Sequence, residues 1–315
     1  MSSKPNFAFF GTSELSVKIL DKLIENGYVP SLVITAPDKP KGRKMIMTPS
    51  PVKVFAQAHN LKIAQPHSLS AYNLPPTTYN LPLSTYNLPP TTYHLLIVAS
   101  YGKIIPKSIL DIPKFGTLNV HPSLLPKFRG PSPIQSFILS EEEKTGVTIM
   151  LMDEQVDHGA ILAQRNLEVS PPFGGETSKS LNAKQLEEKL AEMGGQMLVD
   201  VIPKWISGEI RPQEQDHSQA TFTKKIIKED GLVDLEKDSP ENIYRKFLAF
   251  QPWPGIYYFT KKNGKPLSPK TSASQGKFRV IITDMEIEGN RLKIKKVKPE
   301  GKKEMNYGDF LKGLN

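Results

Sequence analysis

The sequence predicts an α/β chain: a doubly wound, mostly parallel sheet over residues 1–208, then a linker and a smaller, basic, β-rich domain over 209–315. Three observations carry this reading. Short apolar runs alternate with amphipathic helical stretches through the first part of the chain, the pattern that builds parallel sheets. The long helical run "SKSLNAKQLEEKLAEMGGQMLVDVIPKWISG" ends at Gly208 and gives way to the polar stretch "EIRPQEQDHSQ", which reads as a linker. Beyond it the apolar period shortens to that of strands, and the charge changes. Of the chain's 41 Lys and Arg and 32 Asp and Glu, 14 basic and six acidic residues lie between Lys261 and Asn315. That segment therefore holds +8 of the net +9.

Each element has a local reason. "NFAFFG" and "SELSVKILDKLIENG" read as strand, tight turn and amphipathic helix, and "YVPSLVITA" supplies the next strand. "SPVKVFAQAHN" is a short helix with Ser50 as N-cap and Pro51 at its first position. "HLLIVASYG", "GTLNVHPS" and "GVTIMLMD" are buried strands of the same sheet. The later helix is expected to be interrupted at Gly194 and Gly195. In the basic domain only "FRVIITDMEIEG" and "NRLKIKKVKP" stand out as strands after "PWPGIYYF", fewer than the five of a complete OB-type barrel. A reduced OB-like domain is expected.

A seven-residue repeat, "YNLPPTTYNLPLSTYNLPPTTY", occupies Tyr72 to Tyr93 in a connection where a parallel crossover normally places a helix. Its prolines forbid a continuous helix, because each removes an N–H donor and clashes with the preceding turn. The repeat reads as a peripheral spacer made by tandem duplication, with a polyproline partner site as the alternative.

Composition removes several functions. With no Cys there is no disulfide, thiolate nucleophile, Fe–S cluster or thiolate zinc site, and the reducing cytoplasm is the expected compartment. The N-terminus has no signal-peptide core, and no apolar run reaches the length of a membrane span, so no membrane partner is expected. "FFGTSE" carries one glycine where a dinucleotide fold needs G-x-G-x-x-G, which argues against a nicotinamide cofactor. The basic C-terminal segment suits polyanion binding, or is simply a solvated surface.

The densest chemistry lies in "LNVHPSLLPKFRGPSPIQ". Asn119 and His121 stand two apart on a strand, so both project from one face, at the carboxyl end where open parallel sheets bind ligands. An amide donor beside an imidazole can polarise a carbonyl and pass a proton without a metal. Asp157 follows the next strand, in a turn closed by Gly159, and its neighbour His158 is expected to point away and be exposed. Singly, each has a structural reading: a turn amide, a core histidine, a capped bend.

The strings "NVHPSLLPKFRGPSPIQ", "TGVTIMLMDEQVDHGAIL", "FFGTSE" and "VITAPDKPKGRKMIMTPSPVK" together resemble the folate-dependent formyltransferases. "FQPWPGIYYF" and "PEGKKEMNYGDFL" extend the likeness to nearly the whole chain. The resemblance implies a Rossmann-like catalytic domain that takes a formyl group from 10-formyltetrahydrofolate, as co-substrate and with no metal. It implies that Asn119, His121 and Asp157 are the catalytic trio. It implies folate contacts from Ser123, Leu124, Leu125 and Pro126, from the backbone around Lys103, Ile104 and Ile105, and from the loop beginning at Asp153. The basic loop "PKGRK" and the basic C-terminal domain point, within the family, to the branch that formylates initiator methionyl-tRNA in translation initiation. Lys41, Arg43 and Lys44 are then the expected tRNA contacts, on a bacterial-type cytoplasmic monomer. Alternatives are a formyltransferase or hydrolase acting on a small molecule, and an RNA-binding protein that keeps the fold alone.

Overall fold

The computed structural model describes residues 4–42, 44–69, 93–169, 180–261, 266–267, 278–288 and 291–314. The chain divides into two compact units. The first comprises Met1–Pro131, Thr145–Leu167 and Glu187–Phe222; the second comprises Ser132–Lys144, Glu168–Leu186 and Thr223–Asn315. The repeat, apart from Tyr93, lies outside the described residues.

The first unit opens with β1 (Phe7–Gly11), α1 (Glu14–Glu25) and β2 (Leu32–Ile34). The short strands β3 (Lys39–Lys41) and β4 (Ile46–Thr48) pair antiparallel as a hairpin, followed by α2 (Pro51–Ala58) and β5 (Ile63–Ala64). Then come β6 (Leu95–Ala99), α3 (Lys107–Leu110) and β7 (Thr117–His121). After α4 (Pro133–Leu139) the sheet is finished by β8 (Lys144–Leu151) and β9 (Ile161–Glu168), and α5 (Ala183–Ile206) follows. The sheet order is β5-β2-β1-β6-β7-β8-β9. Neighbours from β5 through to β7 are parallel. β8 reverses, pairing antiparallel with β7 through Asn119 opposite Met150 and His121 opposite Thr148. The doubly wound, mostly parallel sheet is as expected.

β1, β6 and β7 are buried at every position, the signature of strands covered on both faces. On one face Ala8, Phe10, Leu96 and Val98 join Ile109 and Leu110 in a single cluster with Tyr101 and Ile105. Phe7, Phe9, Leu95 and Ile97 alternate with these along the strands and fill the opposite face, fully buried.

Helix starts follow the sequence closely. Ser13 caps α1 reciprocally with Ser16, whose hydroxyl also donates to Ala99 O at 2.6 Å and so ties the first turn to β6. Ser50 caps α2 with Pro51 at its first position, as expected; its Oγ accepts from Lys53 N at 3.0 Å and lies 2.7 Å from the buried Thr35 hydroxyl. Such a cap stabilises by about 1 kcal/mol. The expected break at Gly194 and Gly195 is absent, for α5 runs through both. A Cβ on Gly194 would lie 2.6 Å from Val120 Cγ1, and one on Gly195 would lie 2.7 Å from Lys22 Cβ. These glycines let α5 approach β7 and α1 closely, and that packing outweighs their helix cost of about 1 kcal/mol each.

In the second unit α4 packs on α6 (Pro240–Ala249), which Ser239 caps and Pro240 begins. Among the described residues five strands form its sheet: β10 (Ile256–Thr260), β11 (Pro266–Leu267), β12 (Phe278–Glu288), β13 (Arg291–Pro299) and β14 (Met305–Asn306), with α7 (Tyr307–Lys312) last. The order is β11-β10-β12-β13-β14, all antiparallel. The strand count exceeds the sequence expectation because β11 and β14 are two residues each, too short for any periodicity to register.

Burial, with Glu14 and Glu188 adding repulsion, raises the Glu187 carboxyl above its ordinary value of 4.5, although Leu15 N–H donates to it. Folding therefore favours its protonated form, and stability falls as pH rises from the ordinary carboxylate range through the raised value. Glu187→Gln should remove that part of the decline, so urea midpoints measured from pH 4 to 8 should fall less steeply than for the unaltered chain. Parallel profiles would refute the assignment.

Candidate active site

The site gathers in the first unit, at the carboxyl end of β7. Asn119 and His121 lie on the face that carries Val98, and both are buried. Asn119 Nδ2 donates to Asp157 Oδ1 at 3.3 Å, and His121 Nδ1 lies 3.6 Å from Asp157 Oδ2. Gly130 N–H donates to the same Oδ2 at 2.7 Å. On the far side of the imidazole, Nε2 donates to Phe128 O at 3.0 Å. The two ring nitrogens thus face oxygens on opposite sides, Nε2 within hydrogen-bond distance and Nδ1 at ion-pair distance.

Asp157 adopts φ +48°, a left-handed conformation that Asp tolerates better than most residues. Two features hold it there. A Cβ at Gly159 would sit 2.0 Å from Leu151 O, so the turn closes only with glycine. The Gln215 side-chain amide donates to Asp157 O at 3.0 Å and to Gly159 O at 2.8 Å. Gln215 Oε1 in turn accepts from Arg129 Nε at 3.1 Å and Nη2 at 2.6 Å, and Arg129 Nη2 also donates to His217 Nδ1 at 2.8 Å.

The stretch read from the sequence as a linker is therefore packed into the first unit. Gln213 exchanges backbone hydrogen bonds with Ile161, Arg129 N donates to Thr221 O, and Phe128 N donates to Thr221 Oγ1. Sequence reading missed Gln215 and Arg129: a polar residue in a polar stretch gives no sign that it will be buried. His158 differs from expectation too. It is half-buried: its Nδ1 bonds Asp153 Oδ2 at 2.6 Å and its ring stacks on His217 at 4.0 Å.

The expected folate residues continue from β7 and from β6. Ser123 Oγ donates to Lys127 O, Thr148 Oγ1 donates to Ser123 O and accepts from Leu125 N, and Gln164 Nε2 donates to Leu125 O, so backbone 123–126 is clamped to β8 and β9. Ser123 and Leu125 are buried, while Leu124 and Pro126 are half-buried. After β6 the chain turns at Ser100 and Gly102, both with positive φ. Ile105 joins the core cluster, whereas Ile104 is 89% exposed. Lys103 Nζ donates to Pro66 O and His67 O, and burial followed by repulsion from Lys39 lowers its ammonium below the ordinary range. Asp153 Oδ1 accepts from Gln155 N. Exposed Ile104 and half-buried Leu124 leave apolar surface beside these backbone turns.

Lys41 and Lys44 are exposed on the β3–β4 hairpin, beside exposed Met45, Ile46 and Met47; Arg43 lies outside the described residues. Among the described residues no group of three or more His, Asp or Glu is arranged to hold a metal ion, and no helix is long and apolar enough to cross a membrane.

Residues 5–202 match the family model described as formyl transferase, and residues 225–315 match that of the formyl transferase C-terminal domain. The chain belongs to the formyltransferase family. A curated relative from Bacillus velezensis named methionyl-tRNA formyltransferase is 38% identical, over 98% of this chain and 94% of its own length. One of the same name from Halalkalibacterium halodurans is 36% identical, over 97% of this chain and 93% of its own length. Among solved structures, the methionyl-tRNA formyltransferase of Clostridium thermocellum aligns with a TM-score of 0.55 at 16% identity, covering 94% of this chain and 98% of that one. At that identity the likeness speaks for the fold.

Replacing Gly159 by Ala should shift the turn that carries Asp157 and destabilise the first unit by about 1–3 kcal/mol, the usual cost of overpacking. The check is the urea-unfolding midpoint; an unchanged midpoint would mean that the turn tolerates a side chain.

Proposed function

We propose that this formyltransferase moves the formyl group of 10-formyltetrahydrofolate to the α-amino nitrogen of methionyl-initiator tRNA, as a cytoplasmic monomer in a bacterial cell. The observation that carries the reaction class is the convergence of Asn119, His121 and Gly130 N–H on the Asp157 carboxylate at the carboxyl end of β7. The tRNA substrate is supported by the near full-length likeness to curated relatives of that name. The +8 balance of Lys261–Asn315, suited to neutralising phosphates, supports it as well. Residues 1–208, with the strap to Phe222 packed into the same unit, form the catalytic domain in this reading, and the chain beyond it to 315 forms the tRNA-directed part.

The folate supplies an electrophilic formyl carbon and a leaving nitrogen. In the transfer the amine nitrogen bonds to that carbon, the carbon's bond to the folate nitrogen breaks, and one amine proton ends on the folate nitrogen. An α-amino group of pKa near 7.7 is already about one-sixth neutral at pH 7, so deprotonation costs only roughly 1 kcal/mol. The larger task is to hold the negative charge that develops on the formyl oxygen. One N–H of Asn119 is turned to Asp157, which leaves the other for that oxygen, an interaction of about 3 kcal/mol. His121 donates to the same oxygen by exchanging one of its present acceptors, and it supplies the proton to the leaving nitrogen. Asp157 orients the ring and accepts the amine's proton through water. Ser123–Pro126, Lys103–Ile105 and the loop from Asp153 hold the folate, and Lys41, Arg43 and Lys44 contact the tRNA acceptor end.

Purified protein given 10-formyltetrahydrofolate should formylate charged initiator tRNA and leave glycinamide ribonucleotide unmodified. Asp157→Asn should keep the fold and lower kcat by roughly 1,000-fold, in the range seen when an acid–base partner is lost. Formylation of the small amine alone would overturn the substrate. Near-normal turnover by the Asn variant would overturn the proton relay.

A further inference from the structure

We propose that Gln215 is a positioning residue for Asp157, acting from a segment separate in sequence from every member of the trio. The inference rests on the formyl-transfer reading above and deepens it. Gln215 is 5% exposed, and its amide is fully committed. Its two N–H groups hold the carbonyls of Asp157 and Gly159, and its oxygen receives two donors from Arg129, itself 3% exposed. A buried amide with every contact satisfied has one rotamer, so the two carbonyls it grips are fixed in place.

What those carbonyls fix is the carboxylate. Asp157 has a left-handed backbone, and in that conformation its side chain leaves the loop toward β7, where Oδ1 meets Asn119 and Oδ2 meets His121 and Gly130 N. Without Gln215, two carbonyls lose their donors, and of the two features that hold φ +48° only the Gly159 turn is left to oppose the ordinary negative-φ basin. Reversion to that basin re-aims the carboxylate. Arg129 completes the device from the other side: it lies one residue before Gly130, whose N–H anchors Oδ2, and its guanidinium presents Gln215. One side chain thus couples the loop after β7, the loop after β8 and the segment before Phe222. Gln215 itself does not reach the reacting atoms; its effect passes through Asp157.

The tests are Gln215→Ala and the isosteric Gln215→Glu, which keeps an acceptor for Arg129 while removing both donors to the loop. Each should lower kcat for tRNA formylation by about 30- to 100-fold, with KM for the tRNA within threefold. In the Asp157→Asn background the same changes should cost less than threefold, because the route through the carboxylate is already closed. The 15N spectrum of the His121 imidazole should shift alike in Gln215→Glu and Asp157→Asn while His59 stays unmoved. Equal losses in both backgrounds, or an unshifted His121 ring, would overturn the positioning role. An unaltered chain inactive on charged initiator tRNA would refute the functional reading, and the His121 spectrum would still decide the positioning role on its own.

Discussion

Three segments converge on the Asp157 carboxylate, and the geometry of the site depends on that meeting. Asn119 and His121 arrive from β7, Gly130 N–H from the loop after it, and the carboxylate from the loop after β8. A carboxylate withdrawn from water is costly unless hydrogen-bonded or paired, and in half-buried Asp157 both oxygens are engaged. The same contacts that lower that cost also place an amide donor and an imidazole side by side at the mouth of the sheet. Stability and chemistry therefore share one set of interactions.

The sheet makes the meeting possible through one reversal. Strands β5 to β7 run parallel, but β8 is antiparallel to β7. β8 thus leaves the sheet beside the start of β7, and the loop after it must fold back along the face to reach His121. Leu151 N bonded to Ala160 O closes that loop, and the missing side chain at Gly159 gives it room. Gln215 then fixes its direction from a third part of the chain. The Asp157 carboxylate is held by its backbone as much as by its side-chain partners.

Much of this was legible from residue types and spacing. The alternation of apolar runs and amphipathic helices announced the sheet, and Ser50 followed by Pro51 announced α2, because capping is a local affair decided by neighbouring residues. Asn119 and His121 were readable as a pair since strand geometry puts alternate residues on one face. Asp157 was readable through its turn glycine. Other features were not. Gly194 and Gly195 look like breaks to any local rule, and only the approach of Val120 and Lys22 shows why α5 passes through them. Strands of two residues, such as β11 and β14, exist because a longer neighbour offers them hydrogen bonds, and no pattern of their own marks them.

The sequence by itself determined the class of sheet, the placing of Asn119 and His121 on one strand face and the location of the positive charge, all of which rest on short-range pattern and residue type. Only the tertiary structure decided that β8 runs against β7, that His158 stacks on His217 instead of facing solvent, and that "EIRPQEQDHSQ" is a strap rather than a free linker. The physical reason is the same in each case. A polar side chain gains its place by satisfying buried partners distant in sequence, and Gln215 meets Asp157 across 58 residues that no local rule can span.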